Sequence, residues 1–174
     1  MNVRVLYPTD VGAYRALRLA AIEETPADFA TTLSAESAIA PNRLQQRLVH
    51  TPFQRVFGAF DGERLLGMAC VKREPIAVTY DRAHVWGVYV LRAARGQGLG
   101  RALMDAALDY IESVPELTRV TLMVGVDNHA AKALYRTLGF AAVDAERAGH
   151  ADDLADADAD AEQGQREEQM LLVL

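Results

Sequence analysis

The chain has one cysteine, Cys70, so no internal disulfide can staple it. Its four histidines, His50, His84, His129 and His150, lack the spacing of metal ligands, and no metal is expected. No segment approaches the roughly 20 apolar residues of a membrane span. The N-terminal stretch MNVRVLYPTD also lacks the apolar run of a secretory signal, so the expectation is a cytoplasmic protein without a membrane partner. Intrinsic disorder is excluded as the default state. Apolar residues make up 51% and charged residues 24% of the 174 positions, the profile of a single globular domain with one packed core.

The net charge of -6 is unevenly spread. Residues 144 to 169 hold ten of the 24 acidic residues and only two arginines, a balance of -8 that leaves the rest of the chain at +2. A mildly basic body therefore carries one acidic segment, which reads as a solvated, disordered loop. A second role for it is long-range attraction of a cationic acceptor. Neither charge suits nucleic-acid binding.

VRVLY alternates as a first strand and stops at Pro8-Thr9-Asp10. Asp10 is placed to cap a helix in which Tyr14, Leu17, Arg18, Ala21 and Ile22 recur at helical spacing before Pro26. Leu33 to Ile39 and Leu44 to Val49 form a second helical region, broken by Pro41. VFGAF, the Asp61-Gly62 turn and RLLGMACVKRE make a β-hairpin, because Asp-Gly favours the tight primed turn. HVWGVYV is a further strand, and Trp86 and Tyr89 alternate on its opposite faces, so at most one of them faces a site there. Leu99 to Ile111 shows one apolar stripe, RVTLMVGV is a buried strand, and Asn128 caps a helix carrying Ala131, Leu134, Tyr135 and Leu138. FAAV and QMLLVL are short strands around the acidic loop. The order predicts an α+β layered fold, with a central mixed, mostly antiparallel sheet flanked by helices.

The stretch RGQGLGRALMDAALDYI places Gly96, Gly98 and Gly100 between a strand and a helix, flanked by Arg95 and Arg101. A helix start offers N–H groups without internal partners and a positive dipole end, so it binds phosphate, and glycines let the backbone come close. Taken alone, the glycines also fit a plain strand-to-helix turn. A Walker loop is excluded because Gly100 is followed by Arg101-Ala102 instead of Lys and Ser or Thr. The dinucleotide fingerprint is excluded because the spacing is GxGxG instead of GxGxxG.

Arg95, Gly98 and Gly100 match the signature of the GNAT superfamily of acyl-CoA-dependent N-acyltransferases, which the chain resembles. YVLRAARGQGLGRALMDAAL is similar to that family's strand, loop and helix, and VDNHAAKALYRTLGF is similar to its second signature. The resemblance implies a GNAT-like fold over a single domain, residues 1–174. It also implies acetyl-CoA as acyl donor, with the pyrophosphate held by Arg95, Gly96, Gln97, Gly98, Leu99, Gly100 and Arg101. Val88, Tyr89 and Val90 would line the pantetheine arm, with backbone bonds from Val88 and Val90, and Asn128 would lie beside it where two strands splay.

By the same resemblance Tyr135 holds the position of the general acid that protonates the departing thiolate; its other reading is a core aromatic. Trp86 and Met123 stand where many relatives carry a carboxylate base. His84, two residues from Trp86, is the candidate base by its pKa range, and otherwise a strand-end histidine. Glu23, Glu24 and Asp28 lie in the helical region of the acceptor side. The Pro26 to Phe29 turn resembles relatives that acylate small amines or amino-acid-like compounds, with Phe29 and Trp86 as acceptor-binding residues. The expected function is transfer of an acetyl group to a primary amine of a small molecule or an exposed amino group. The alternative is a non-catalytic acyl-CoA-binding regulator. Either is compatible with a homodimer.

Overall fold

The computed structural model describes residues 1–26, 29, 31–73, 80–143 and 167–174. Asp28 and residues 144–166 of the acidic segment lie outside the described residues. Strand β1 (Asn2–Val5) leads through a single 3-10 turn into helices α1 (Val11–Glu24), α2 (Leu33–Ala38) and α3 (Pro41–Arg47). The β2 (Gln54–Asp61) and β3 (Arg64–Arg73) hairpin follows, then β4 (Arg82–Val90), α4 (Leu99–Glu112), β5 (Arg119–Gly125), α5 (His129–Thr137), β6 (Ala141–Ala142) and β7 (Glu167–Val173).

The seven strands form one sheet in the order β1-β2-β3-β4-β5-β7-β6, antiparallel at every step except β4 beside β5. This is the mixed, mostly antiparallel architecture expected from the element order. Period-two alternation sends neighbouring residues of the hairpin to opposite layers. Phe57, Ala59, Ala69 and Val71 join α4 in one core, where Leu103, Met104, Ala107 and Ile111 are buried, while Val56, Phe60, Met68 and Cys70 join Tyr14, Leu17 and Ala21 of α1 in the other. Full burial of a leucine-sized side chain contributes about 1.5–3 kcal/mol, so these two stripes anchor the helices to the sheet.

Several local expectations change. Asp10 precedes α1, but its carboxylate accepts from the Tyr7 N–H and from both terminal nitrogens of Arg4, each at 2.8 Å, and makes no cap bond to the helix. Pro41 opens α3 at its first position instead of breaking a helix, because proline's missing N–H is an orphan there anyway. Glu167 and Glu168, assigned from composition to the acidic loop, are strand: they pair with Gly125 and Val124.

The pairing of β3 with β4 is irregular between Met68 and Cys70. Met68 lies opposite Tyr89 and Cys70 opposite Trp86, so Ala69 faces two residues of β4, and Gly87 takes the left-handed φ of +59°. This is a β-bulge, and the extra residue inverts the alternation beyond it. Trp86 and Tyr89 consequently share the α1 face, in place of the opposite faces predicted, while Val85, Val88 and Val90 share the α4 face.

The other decisive feature is where β4 and β5 part. They pair only from Arg82–Val85 against Arg119–Leu122. Beyond that point β4 continues beside β3 and β5 continues beside β7, leaving a V-shaped opening. No helix among the described residues is long and apolar enough to cross a membrane.

Candidate active site

A cavity of about 890 Å³ fills this opening. One wall is the free edge of β4, with Trp86, Gly87, Val88, Tyr89 and Val90; the facing wall is Met123, Val124 and Gly125 of β5. The glycine loop and the start of α4 close one end, α5 supplies Ala131, Leu134 and Tyr135, and the end of α1 contributes Glu24. The expected site residues Phe29, Trp86, Val88, Tyr89, Val90, Arg95, Gly96, Gly98, Leu99, Gly100, Arg101, Asn128 and Tyr135 all line it. His84 and Gln97 do not.

At the loop, Gly96 and Gly98 adopt φ of +75° and +79°, a conformation that costs other residues roughly 1–2 kcal/mol. Gly98 holds the cap position just before α4, and having no side chain it caps nothing, so the first-turn N–H groups of the helix stay directed at the cavity end. Gly100 is helical, and a Cβ there would meet only Leu134, at 3.4 Å. The loop's glycines therefore do different things: Gly96 and Gly98 bend the backbone, and Gly100 is a helical position with room for a methyl group beside Leu134.

The Arg95 side chain turns away from the loop. Its Nε donates to Val90 O and its Nη1 pairs with Glu24 Oε1, both at 3.0 Å. Glu24 also accepts from the Tyr89 hydroxyl at 2.6 Å. The Tyr89 hydrogen bond and, after it, the Arg95 charge outweigh partial burial and hold the Glu24 carboxyl below its usual range. Burial, followed by the hydrogen bond to Glu24, pushes the Tyr89 phenol up to about 12. Arg95, Tyr89 and Glu24 thus tie the glycine loop to the end of α1. The sequence offered Glu24 only as one surface acid among several, and no local pattern links it to Arg95.

Tyr135 is 6% exposed, packed on Phe140 with ring centroids 6.0 Å apart, and on the cavity wall. Both readings of this residue, core aromatic and site residue, therefore describe its position. Asn128 Oδ1 accepts from the Ala131 N–H and caps α5 as expected. His84 precedes the point where the strands part, and its Nδ1 lies 3.2 Å from Thr121 Oγ1 on the paired strand, which keeps it out of the opening. Met123 is exposed on the β5 wall, so neither strand position aligned with a carboxylate holds one.

Behind Trp86 lies a charge network that composition did not reveal. Arg18 is 3% exposed and Glu36 1% exposed; Arg18 Nε and Nη2 each donate to a Glu36 oxygen at 3.1 Å, and Arg47 Nη1 donates to Glu36 Oε1 at 2.8 Å. Burial alone would raise the Glu36 pKa, but the Arg18 hydrogen bond and the charges of Arg18 and Arg47 hold it below the usual value. The one signal in the sequence was Arg18 itself, a charge inside an apolar helical stripe. Among the described residues, no group of three or more His, Cys, Asp or Glu side chains could hold a metal.

The model of the Acetyltransferase (GNAT) family matches residues 18–140. A mycothiol acetyltransferase of Renibacterium salmoninarum is 45% identical over 62 residues, 36% of this chain and 18% of that protein. The [Ribosomal protein bS18]-alanine N-acetyltransferase of Escherichia coli K12 is 31% identical over 117 residues, 63% of this chain and 78% of that protein. The chain spans less than a third of the length of the mycothiol acetyltransferases it matches. In three dimensions, an N-acetyltransferase from Thermoplasma acidophilum in complex with coenzyme A superposes with a TM-score of 0.70 at 17% identity, covering 100% of both chains.

Proposed function

The chain belongs to the GNAT acetyltransferase family, and on that premise we propose that it moves an acetyl group from acetyl-CoA to a primary amine by direct attack. The observation that carries this reading is the opening between β4 and β5, with an uncapped helix start at one end and a buried phenol on its wall. An extended, phosphate-bearing ligand fits that shape. The backbone from Gly96 to Arg101 would hold the pyrophosphate, the free edge of β4 would take the arm as an added strand does, and Asn128 would flank it.

Bound acetyl-CoA supplies the thioester carbonyl that the amine attacks, with the coenzyme A thiolate as leaving group. Tyr135 Oη donates its proton to the departing sulfur. Trp86 and Phe29 wall the acceptor side. Arg95 acts as a strap: by bonding Val90 O and Glu24 it fixes the end of β4 against α1. Glu24 makes a poor base, because both of its oxygens accept hydrogen bonds or charge that favour the ionised form. We assign deprotonation of the amine to water entering from the cavity mouth.

Release of free thiol from acetyl-CoA across a panel of amines tests the proposal. Turnover with at least one amine is expected. Tight coenzyme A binding without thiol release for any acceptor would instead support a non-catalytic acyl-CoA-binding regulator.

A further inference from the structure

The acceptor side of the cavity holds more buried donors than the protein satisfies. Glu36 carries one negative charge between two guanidinium groups, so the Arg18–Glu36–Arg47 network has an excess positive charge. Arg18 Nη1 has no partner, nor has Trp86 Nε1, and both atoms are shut off from solvent. A buried donor without an acceptor is costly, and more so on a charged group. These two lie close to the cavity. A Cβ on Gly87, which lines it, would stand 3.5 Å from Arg18 Nη1. The Arg18 guanidinium lies 5.4 Å from the Trp86 ring centroid and 5.2 Å from that of Phe29, and both rings line the cavity.

Resting on the acetyltransferase reading of this cavity, we propose that the network is a carboxylate subsite and that the acceptor is an amine bearing a carboxylate, of the amino-acid class. Arg18 Nη1 and Trp86 Nε1 can only donate, so they fit an acceptor-only group; a carboxylate satisfies both and neutralises the excess charge. The half-buried Phe29 ring stands beside the Arg18 guanidinium at the edge of the subsite. A polyamine would meet that positive charge without compensation, and a peptide amino terminus has an amide where the carboxylate should be. The acceptor's amine, a few bonds from its carboxylate, then faces the opening beyond Trp86.

Product binding tests this without turnover. Coenzyme A-loaded protein is titrated calorimetrically with the N-acetyl derivatives of the common amino acids and with their carboxamides. At least one acid is expected to bind about tenfold more tightly than its amide, as a charge-assisted hydrogen bond to a buried donor predicts. Trp86→Phe, which keeps a ring and removes the N–H, is expected to cut that preference to about threefold or less. Equal affinity for acids and amides, no detectable binding of any acid, or an undiminished preference in Trp86→Phe would each overturn the proposal. An intact preference for acids in a protein that releases no thiol with any amine would leave the subsite standing and overturn the acetyltransferase reading.

Discussion

The two faces of the sheet place polar groups beside the cavity by different means. On the α4 and α5 side the core beneath the cavity is apolar, its buried Lys132 is paired with Glu168, and the cavity's polarity comes from backbone N–H groups at a helix start. On the α1 side the polarity comes from side chains: Arg18 and Glu36 are buried between α1 and α2, with donors left over. Backbone polarity is fixed in place by the helix itself and serves any ligand with a phosphate. Side-chain polarity depends on which residues stand there, and so it can select one acceptor from another.

Substitutions on the two sides should therefore fail differently. The largest effect belongs to Tyr135→Phe, which is expected to lower turnover about 10²- to 10⁴-fold with little change in coenzyme A affinity; unchanged turnover under chemistry-limited conditions would remove the phenol from the mechanism. Glu36→Gln comes next. It should destabilise the fold by about 3–5 kcal/mol, because two buried or half-buried guanidinium groups lose their counter-charge. An unchanged urea midpoint would mean that the network is no more than a surface pair. Gly98→Ala should cost about 1–2 kcal/mol through its left-handed φ and weaken coenzyme A, whereas Gly100→Ala, helical and with room for a methyl group, should be close to neutral. Equal effects in calorimetric titrations would undo the division of labour within the loop.

The smallest effect is a pH dependence on the acceptor side. The folded-state pKa of Glu36 is lowered, so the stability it contributes is present above the unfolded value near 4.5 and disappears as the pH falls through the lowered folded value. The stability gap between the native protein and Glu36→Gln is accordingly expected to narrow below about pH 4.5. A gap that stays constant down to strongly acidic pH in denaturation curves would contradict the ionised network.

Much of the donor side was legible because its signals are local. The glycine run, the Asp-Gly hairpin turn and the Asn128 cap each act within a few residues, and the structure places each on the predicted element. What escaped was non-local. Gly87 sits in an ordinary-looking strand, and only the register with β3 shows that it inverts the face of Tyr89. His84 suited the chemistry by residue type, but the strands separate after Val85, so it lies on the closed side of the fork. Arg18 and Glu36 are 18 residues apart, and Arg95 meets Glu24 across the fold. Ion pairs formed through tertiary packing leave no spacing pattern to read.

The claim that joins both sides is that the fork between β4 and β5 is the ligand's place. Diffraction from crystals grown with coenzyme A tests it most directly. The pyrophosphate should lie on the N–H groups of Gly96 to Arg101, with the arm running between Trp86–Val90 and Met123–Gly125. A ligand bound outside the fork, or a fork closed by continued β4–β5 pairing beyond Val85 and Leu122, would contradict the account.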